Sequence, residues 1–256
     1  ELMQIAKFFQ GREIDGQTRY GVSIFTERGS EGINMGATGA LYAWGFKYEN
    51  EPGSYDMEGA VNSPEAIEAL EFYKELYECC TPPGYTDSYM EQSRDAFKSG
   101  QVAMAMNWFA FFPGLYADDD IGGERIDFFV NPPQNVAAST LGGQGISVVA
   151  YSDKQDAALE YIKWFAQEDV QQQWWDIGGA PALRSVLEAP GFEDSQPFAK
   201  TFLDSMAIVK DFWAEPAYAD LLLSMQERVH NYVIAGEGAA QEALNGLGDD
   251  SVEVFE

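Results

Sequence analysis

The sequence has few of the residues on which most metal and enzyme sites are built. His230 is its only histidine, and Cys79 and Cys80 are its only cysteines. One histidine and two adjacent cysteines do not supply the spaced ligand sets of a zinc site, so no metal is predicted. The chain also lacks a GxSxG elbow and a Walker A loop, two common signatures of hydrolases and nucleotide-binding proteins. No cofactor is predicted.

Basic residues and long apolar runs are scarce as well. Lys and Arg total 15 against 42 Asp and Glu, which gives a formal net charge of −27. Nucleic acid and anionic membrane surfaces are poor partners for such a field. No apolar run reaches the roughly 20 residues that span a bilayer, so the chain is not predicted to be transmembrane. The acids are spread over predicted helix faces, which indicates a solvated acidic surface.

The most informative stretch begins at Val102 and ends at Pro113. Its first part alternates large apolar residues with alanine, which predicts a strand over 101–107. Its second part holds four aromatic residues within five positions: Trp108, Phe109, Phe111 and Phe112. Aromatic faces offer wide contact at little rotamer cost, so the cluster indicates a surface that holds a flat, partly apolar ring. For any single one of these rings, packing in the core is the alternative interpretation.

Periodicity and capping residues predict an α/β chain whose C-terminal third is largely helical. Ser63-Pro64-Glu65 is the strongest helix start, with a capping serine, a proline in the first position and an acid in the first turn. The pattern at Glu1 has no cap before it, so we expect the chain to begin inside a longer protein. Further predicted helices cover 1–10, 88–98, 153–167, 168–177, 195–207, 215–235 and 237–246, and predicted strands cover 20–25, 101–107, 125–130 and 146–150.

The two adjacent cysteines leave two interpretations open. Cys79 and Cys80 are either two partly buried thiols at a helix end or a vicinal disulfide, which an extracytoplasmic compartment permits. We expect both to lie near the surface, beside Pro82-Pro83-Gly84, which ends the segment.

Several short motifs occur in an order that resembles one protein family. Residues 96–104, Ala-Phe-Lys-Ser-Gly-Gln-Val-Ala-Met, resemble its F-x-x-G-x-x-A-M signature, and Trp108 follows closely. Residues 178–187, Gly-Gly-Ala-Pro-Ala-Leu-Arg-Ser-Val-Leu, resemble its GG-x-P-x-R/K-x-S-V-L pattern. Phe46–Asn50, Leu141–Ile146 and Glu215–Tyr218 add to the likeness. Together these motifs resemble the carbohydrate-binding proteins of ABC importers, the extracellular solute-binding family 1, over nearly the whole chain.

The resemblance implies a two-lobed periplasmic-binding-protein-like fold of type II, with most of the N-terminal lobe absent from this chain. By analogy, residues 1–133 and 188–256 belong to the C-terminal lobe, and residues 134–187 belong to the N-terminal lobe. Crossings are expected at Asn131-Pro132-Pro133 and after Gly178-Gly179-Ala180-Pro181, because proline stiffens a crossing and glycine permits its backbone angles. The 134–187 segment is then expected to expose apolar faces that need another chain or a rearranged packing.

The function that the resemblance implies is a periplasmic or extracellular receptor, with or without a lipid anchor. It binds a sugar or related polyhydroxylated solute between its lobes and delivers it to an ABC permease in the membrane. Trp108 and Phe109 are the predicted stacking platforms. Trp213 is a third, with packing against helix 215–235 as its alternative.

Polar groups of the predicted site follow the strand at 20–25 or lie at a lobe crossing: Arg28, Ser30, Glu31, Asn34, Gly142, Gly143 and Gln144. Arg28 and Glu31 are alternatively solvated loop residues. Other family members often have tryptophan where this chain has Gln144, which leaves an amide able to bond a hydroxyl.

Two other functions stay open at this stage. A polysaccharide-degrading enzyme needs a general acid and base, and nothing among the 42 acids singles out a pair. A binding protein for an amino acid, polyamine or polyol is the second alternative. A cationic solute calls for acids in the pocket, and Glu31 is the one candidate that the sequence offers.

Overall fold

The structure, a computed structural model, describes residues 1–255 and every side chain among them except that of Ser30. The α-helices of this part are α1 (Leu2–Phe9), α2 (Met35–Trp44), α3 (Pro64–Cys80), α4 (Met90–Lys98), α5 (Phe112–Tyr116), α6 (Gln155–Phe165), α7 (Glu168–Asp176), α8 (Arg184–Leu187), α9 (Ala199–Met206), α10 (Tyr218–Val233) and α11 (Ala240–Phe255). Its strands are β1 (Arg12–Ile14), β2 (Gln17–Ser23), β3 (Val102–Ala105), β4 (Ser139–Thr140) and β5 (Val209–Lys210). No helix among the described residues has the length and apolar character that a bilayer crossing requires.

The chain folds into two compact units. Unit 1 consists of Glu1–Asn107, Asn131–Leu141 and Ile208–Glu256, and unit 2 consists of Trp108–Val130 and Gly142–Ala207. These bounds differ from the predicted segments, because 108–130 and 188–207 group with 142–187. The physical reason is an aromatic core in which Phe109 and Phe112 pack on Phe202 and Phe198. The assignment of either unit to a lobe of the family stays a prediction.

A three-stranded sheet in the order β1-β2-β3 organises unit 1. Asp15 and Gly16 join β1 to β2 with φ angles of 53° and 77°, as a two-residue hairpin turn requires. β2 pairs in parallel with β3, with Tyr20 opposite Val102 and Val22 opposite Met104. Around the sheet lies a core that includes Ile24, Leu41, Leu70, Tyr73, Leu76 and Leu221, all almost fully buried.

The predicted start of α3 is confirmed. The Ser63 hydroxyl accepts a hydrogen bond from the Ala66 backbone N–H at 3.2 Å, and Pro64 occupies the first helical position. Such a cap satisfies one of the donors that a helix N-terminus leaves free. α3 therefore begins at a fixed residue and presents Tyr73 and Leu76 to the core.

Two predicted strands in unit 2 are wrong. Residues 126–130 and 142–149 have no regular structure, and neither segment pairs with a strand. A β-strand needs a hydrogen-bonded partner, so β-branched composition alone does not form one. Phe128 instead packs on the rings of Phe112 and Phe198, with centroid separations of 4.3 and 5.9 Å.

Unit 2 exposes many large apolar side chains. Tyr151 is 94% exposed and Ile177 is 77% exposed. Six further large apolar side chains are exposed to a smaller fraction: Ile146, Val149, Leu159, Tyr161, Trp164 and Trp174. Exposed apolar surface of this extent is typical of an interface. These side chains all lie within 134–187, as expected for a segment whose apolar faces are uncovered.

The last turn of α3 carries the two cysteines, whose Sγ atoms are joined in a disulfide. The prediction that both lie near the surface is wrong for Cys80, which is fully buried. Cys80 follows Leu76 by four residues and therefore shares its inward face. Cys79 is partly buried, with its sulfur 3.5 Å from the Met3 sulfur of α1.

Helices α10 and α11 are joined by a bidentate ion pair. The Arg228 guanidinium donates from Nε to Asp250 Oδ2 at 2.7 Å and from Nη2 to Oδ1 at 2.8 Å. These hydrogen bonds hold the pKa of Asp250 below its ordinary value of 3.8. Gly246 makes room for this arginine, because a Cβ there would lie 1.9 Å from Arg228 Nη1.

We expect Cys79 and Cys80 to be oxidised to each other in the exported protein, because that compartment permits disulfides. Alkylation of the unfolded chain without reductant should leave its intact mass unchanged. After treatment with dithiothreitol, the same reaction should add two alkyl groups. Addition of two groups before reduction contradicts the prediction.

We expect Arg228→Ala to lower the free energy of unfolding at pH 7 by about 0.5–1 kcal/mol, the range of a partly exposed ion pair with good geometry. Because the folded-state pKa of Asp250 is depressed, the pair stabilises the protein above pH 3.8, and this contribution is lost as pH falls further. Urea unfolding at pH 7 and about pH 3.5 should show a smaller difference from wild type at the lower pH. Arg184→Ala, which removes an ion pair with 87% and 67% exposed side chains, is the control and should have little effect.

Candidate functional site

Trp108 and Gly142, two predicted site residues of unit 2, lie against each other. A Cβ at Gly142 would lie 2.9 Å from Trp108 Cζ3 and 3.1 Å from Cε3 and Cη2. The six-membered ring of the indole therefore rests on the glycine backbone, which only a residue without a side chain allows. Trp108 is partly buried and Gly142 is exposed.

The two residues after Gly142 extend this exposed surface. Gly143 and Gln144 are both exposed, and a Cβ at Gly143 would meet nothing within 4 Å. The backbone amides of Gly143 and Gln144 and the side-chain amide of Gln144 therefore directly follow the glycine that supports Trp108. This combination of an aromatic face with amide groups matches the apolar faces and polar rims of sugars.

Phe109 does not share this arrangement. It opens the 3₁₀-turn Phe109–Phe111, and its ring centroid lies 4.9 Å from that of Phe202 in an edge-to-face contact. The same ring lines an aromatic pocket of unit 2 with a volume of about 290 Å³. Its role as a stacking platform stays a prediction, and in this structure the ring belongs to the wall of that pocket.

In unit 1, Arg28 and Glu31 follow the end of β2. The Tyr89 hydroxyl donates to Glu31 Oε2 at 3.0 Å, and the Arg28 guanidinium lies 3.8 Å from the Glu227 carboxylate of α10. Burial lowers the pKa of His230, and the nearby charge of Arg28 lowers it further. Tyr89 is a candidate residue that no sequence motif indicated.

Asn34 is fully buried at the end of the π-turn Ser30–Asn34. Its Nδ2 donates to the Leu222 carbonyl of α10 at 2.9 Å, so the side chain joins two elements of unit 1. Contact of Asn34 with a solute stays a prediction, and its position here is that of a packing residue. The predicted role of the Ser30 side chain lies outside the described residues.

Trp213 belongs to an aromatic cluster of unit 1. Its ring is stacked on Tyr48 with a centroid separation of 5.3 Å and an interplanar angle of 5°, and it meets Phe255 edge-on at 5.3 Å. The Tyr48 and Tyr218 hydroxyls lie 3.0 Å apart, and burial raises the pKa of Tyr48. Both interpretations of Trp213 therefore stay open, because the ring is only partly buried.

Tyr55 extends the same cluster toward solvent. Its hydroxyl donates to Glu215 Oε1 at 2.6 Å, and its ring stacks on Phe255. Tyr48 and Tyr218 lie in the family-like motifs Phe46–Asn50 and Glu215–Tyr218. These motifs could therefore have indicated the cluster from the sequence. The residues that the structure describes contain no group of three or more His, Cys, Asp or Glu that could hold a metal ion.

An aromatic ring beside a few polar groups is the combination that small-molecule sites use. A family model for bacterial extracellular solute-binding proteins matches residues 2–200. The chain therefore belongs to this family, and the predicted relationship is confirmed. A probable amino-acid ABC transporter periplasmic-binding protein of Sinorhizobium fredii is 27% identical over 187 residues, which cover 64% of this chain and 40% of that relative.

Solved structures confirm the predicted fold class. Maltose-bound MalE3 of T. maritima has a TM-score of 0.83 at 21% identity, over 99% of this chain and 64% of that chain. A solute-binding protein from Thermotoga lettingae, bound with α-D-tagatose, has a TM-score of 0.84 at 22% identity, over 100% of this chain and 64% of that chain. The chain thus has the fold of these proteins and spans about two thirds of their length.

We expect Gly142→Ala to displace the Trp108 indole, because the new Cβ would lie within 2.9 Å of the ring. Gly143→Ala is the matched control, since a Cβ there meets nothing within 4 Å. Two-dimensional ¹H–¹⁵N NMR should show a shifted Trp108 Nε1–H resonance in the first variant and an unchanged one in the second. Equal spectra for both variants would contradict the contact.

Proposed function

We propose that this chain is part of the solute-binding component of an ABC importer and that the solute is a sugar or related polyhydroxylated compound. The observation that carries the proposal is the Trp108 ring on Gly142, beside the exposed amides of Gly143 and Gln144. A ring face on the indole loses its hydration at little cost, while its hydroxyls bond to the amide groups. Structural relatives bound with maltose and tagatose support the same class.

The proposed partner is an ABC permease in the membrane, and the proposed location is periplasmic or extracellular. Family membership supports the location, and the proposal holds with or without a lipid anchor. We also propose that the protein has no catalytic activity, since the relatives named above are transport proteins. Release of product from oligosaccharides incubated with the full-length protein would contradict this part.

An amino acid is the second candidate solute. The Sinorhizobium fredii relative is named for amino-acid transport, and Arg28 and Glu31 offer the opposite charges that a zwitterion needs. Thermal-shift screening of the full-length protein against sugars, polyols and amino acids separates the two, because a bound solute raises the apparent stability. Stabilisation by amino acids alone, lost in Arg28→Ala, would favour this second candidate.

We expect Trp108→Ala to weaken binding of the solute found in that screen by about 1–3 kcal/mol, or roughly 5- to 150-fold, because a stacked aromatic anchor is lost. Isothermal titration calorimetry on the full-length protein measures the change. Trp164→Ala removes an indole that is 49% exposed on α6 and should leave the affinity unchanged. An unaltered affinity in a folded Trp108→Ala protein would place the site elsewhere.

A further inference from the structure

Unit 2 contains an aromatic pocket of about 290 Å³ that the sugar-binding proposal does not use. Six rings line it: Phe109, Phe112, Trp174, Trp175, Phe198 and Phe202. Trp175, Phe198 and Phe202 are buried, so the floor of the pocket is the core of unit 2. Trp174 is 40% exposed and Ile177 is 77% exposed, so its mouth is open to solvent in this structure.

Two adjacent glycines keep the pocket open. A Cβ at Gly179 would lie 2.0 Å from Trp174 Cε2, so the indole lies flat on this glycine and forms one wall. A Cβ at Gly178 would lie 2.9 Å from Pro113 Cβ, and Gly178 has a φ angle of 95° that favours glycine. Because neither glycine has a side chain, the backbone passes between Trp174 on one side and Pro113 on the other.

The lining offers few polar side-chain groups for a hydroxyl-rich solute, namely the indole N–H groups of Trp174 and Trp175. None of its residues has a hydroxyl, carboxyl or amide side chain, and the Trp175 indole N–H donates to Ser195 Oγ at 2.9 Å. The Gly178 and Gly179 backbone N–H groups donate to the Trp175 and Trp174 carbonyls at 2.9 and 2.8 Å. A sugar placed here would leave most hydroxyls that face the floor of the pocket unpaired, which is unfavourable away from solvent.

An aromatic ring fits both the size and the chemistry of the pocket. An apolar cavity of about 150 Å³ is enough to hold benzene, so this pocket accommodates a substituted ring. Aromatic rings gain further from edge-to-face and offset contacts with the surrounding rings. Phe109 in its wall directly follows Trp108, the proposed platform for the hydroxylated part of the solute.

We propose that this pocket binds an aromatic group carried by the solute, so that the preferred substrate class is an aryl glycoside or an aryl-substituted polyol. The choice of glycoside or polyol rests on the proposed function, whereas the affinity of the pocket for an aromatic ring does not. The pocket and Trp108 then recognise the nonpolar and the hydroxylated parts of one molecule.

The test uses 4-fluorophenol as the probe and ¹⁹F NMR of the full-length protein. We expect wild-type protein to broaden the 4-fluorophenol signal in a saturable way. The affinity for the probe should be at least fivefold lower in Ala110→Phe, because Ala110 lines the pocket and is exposed at its mouth. Ala117→Phe introduces the same ring at an exposed position outside the pocket and should bind within twofold of wild type. Absence of binding, or equal affinities in the two variants, would overturn the proposal.

A second pair of variants guards against misfolding of Ala110→Phe. Gly179→Ala should weaken 4-fluorophenol binding by displacing Trp174, while Gly114→Ala, where a Cβ meets nothing within 4 Å, should not. For each sugar that binds in the thermal-shift screen, its phenyl glycoside should bind at least fivefold more tightly and lose this advantage in Gly179→Ala. Equal affinities of sugar and phenyl glycoside would overturn the substrate class.

The outcomes separate this inference from the proposed function. Sugar binding without 4-fluorophenol binding would overturn the pocket and leave the sugar receptor intact. Binding of 4-fluorophenol without any sugar, polyol or amino acid would support the pocket and overturn the solute-receptor proposal.

Discussion

The parallel pairing of β2 with β3 is the contact on which the candidate surface of unit 1 depends. It joins residues about 80 positions apart, with Tyr20 opposite Val102, and the core beside it includes residues of α2 and α3. Parallel strands end at the same edge of a sheet, so the segment with Arg28 and Glu31 and the exit of the chain at Asn107 share that edge. The Met106 N–H donates to the Ser23 carbonyl at 2.9 Å, which fixes this register one step beyond β3.

Much of the helical framework could be predicted from local signals, because caps and apolar stripes act over a few residues. Ser63-Pro64 predicted the start of α3. The alternation of large apolar residues with alanine correctly predicted a strand at β3. The hairpin turn at Asp15-Gly16 was missed although its dipeptide is a strong turn signal. The strand at 146–150 failed for a different reason: a strand depends on a partner distant in sequence, and local composition carries no information about it.

The site itself was predictable only in part, because burial depends on tertiary neighbours. Trp108 and Gly142 were both named from sequence, but their contact is a property of the folded unit 2. Asn34 was named for the same site and is buried against Leu222. The grouping of Phe109, Phe112 and Phe128 with Phe198 and Phe202 decided the bounds of unit 2, and no local pattern connects these positions.

Glycine has a more specific use in this protein than flexibility at crossings. Gly142 supports the Trp108 ring and Gly179 supports the Trp174 ring, whereas Gly36 leaves room for the tip of Tyr73, whose hydroxyl would lie 2.0 Å from a Cβ there. None of these three has a positive φ, so each is explained by the aromatic side chain packed on it and not by its backbone angles. A chain that is 14% aromatic needs such flat supports, because a wide ring loses contact area wherever a neighbouring Cβ holds it away. Glycines without a positive φ thus place aromatic side chains in the folded protein, and they connect the composition of this chain to its proposed binding surfaces.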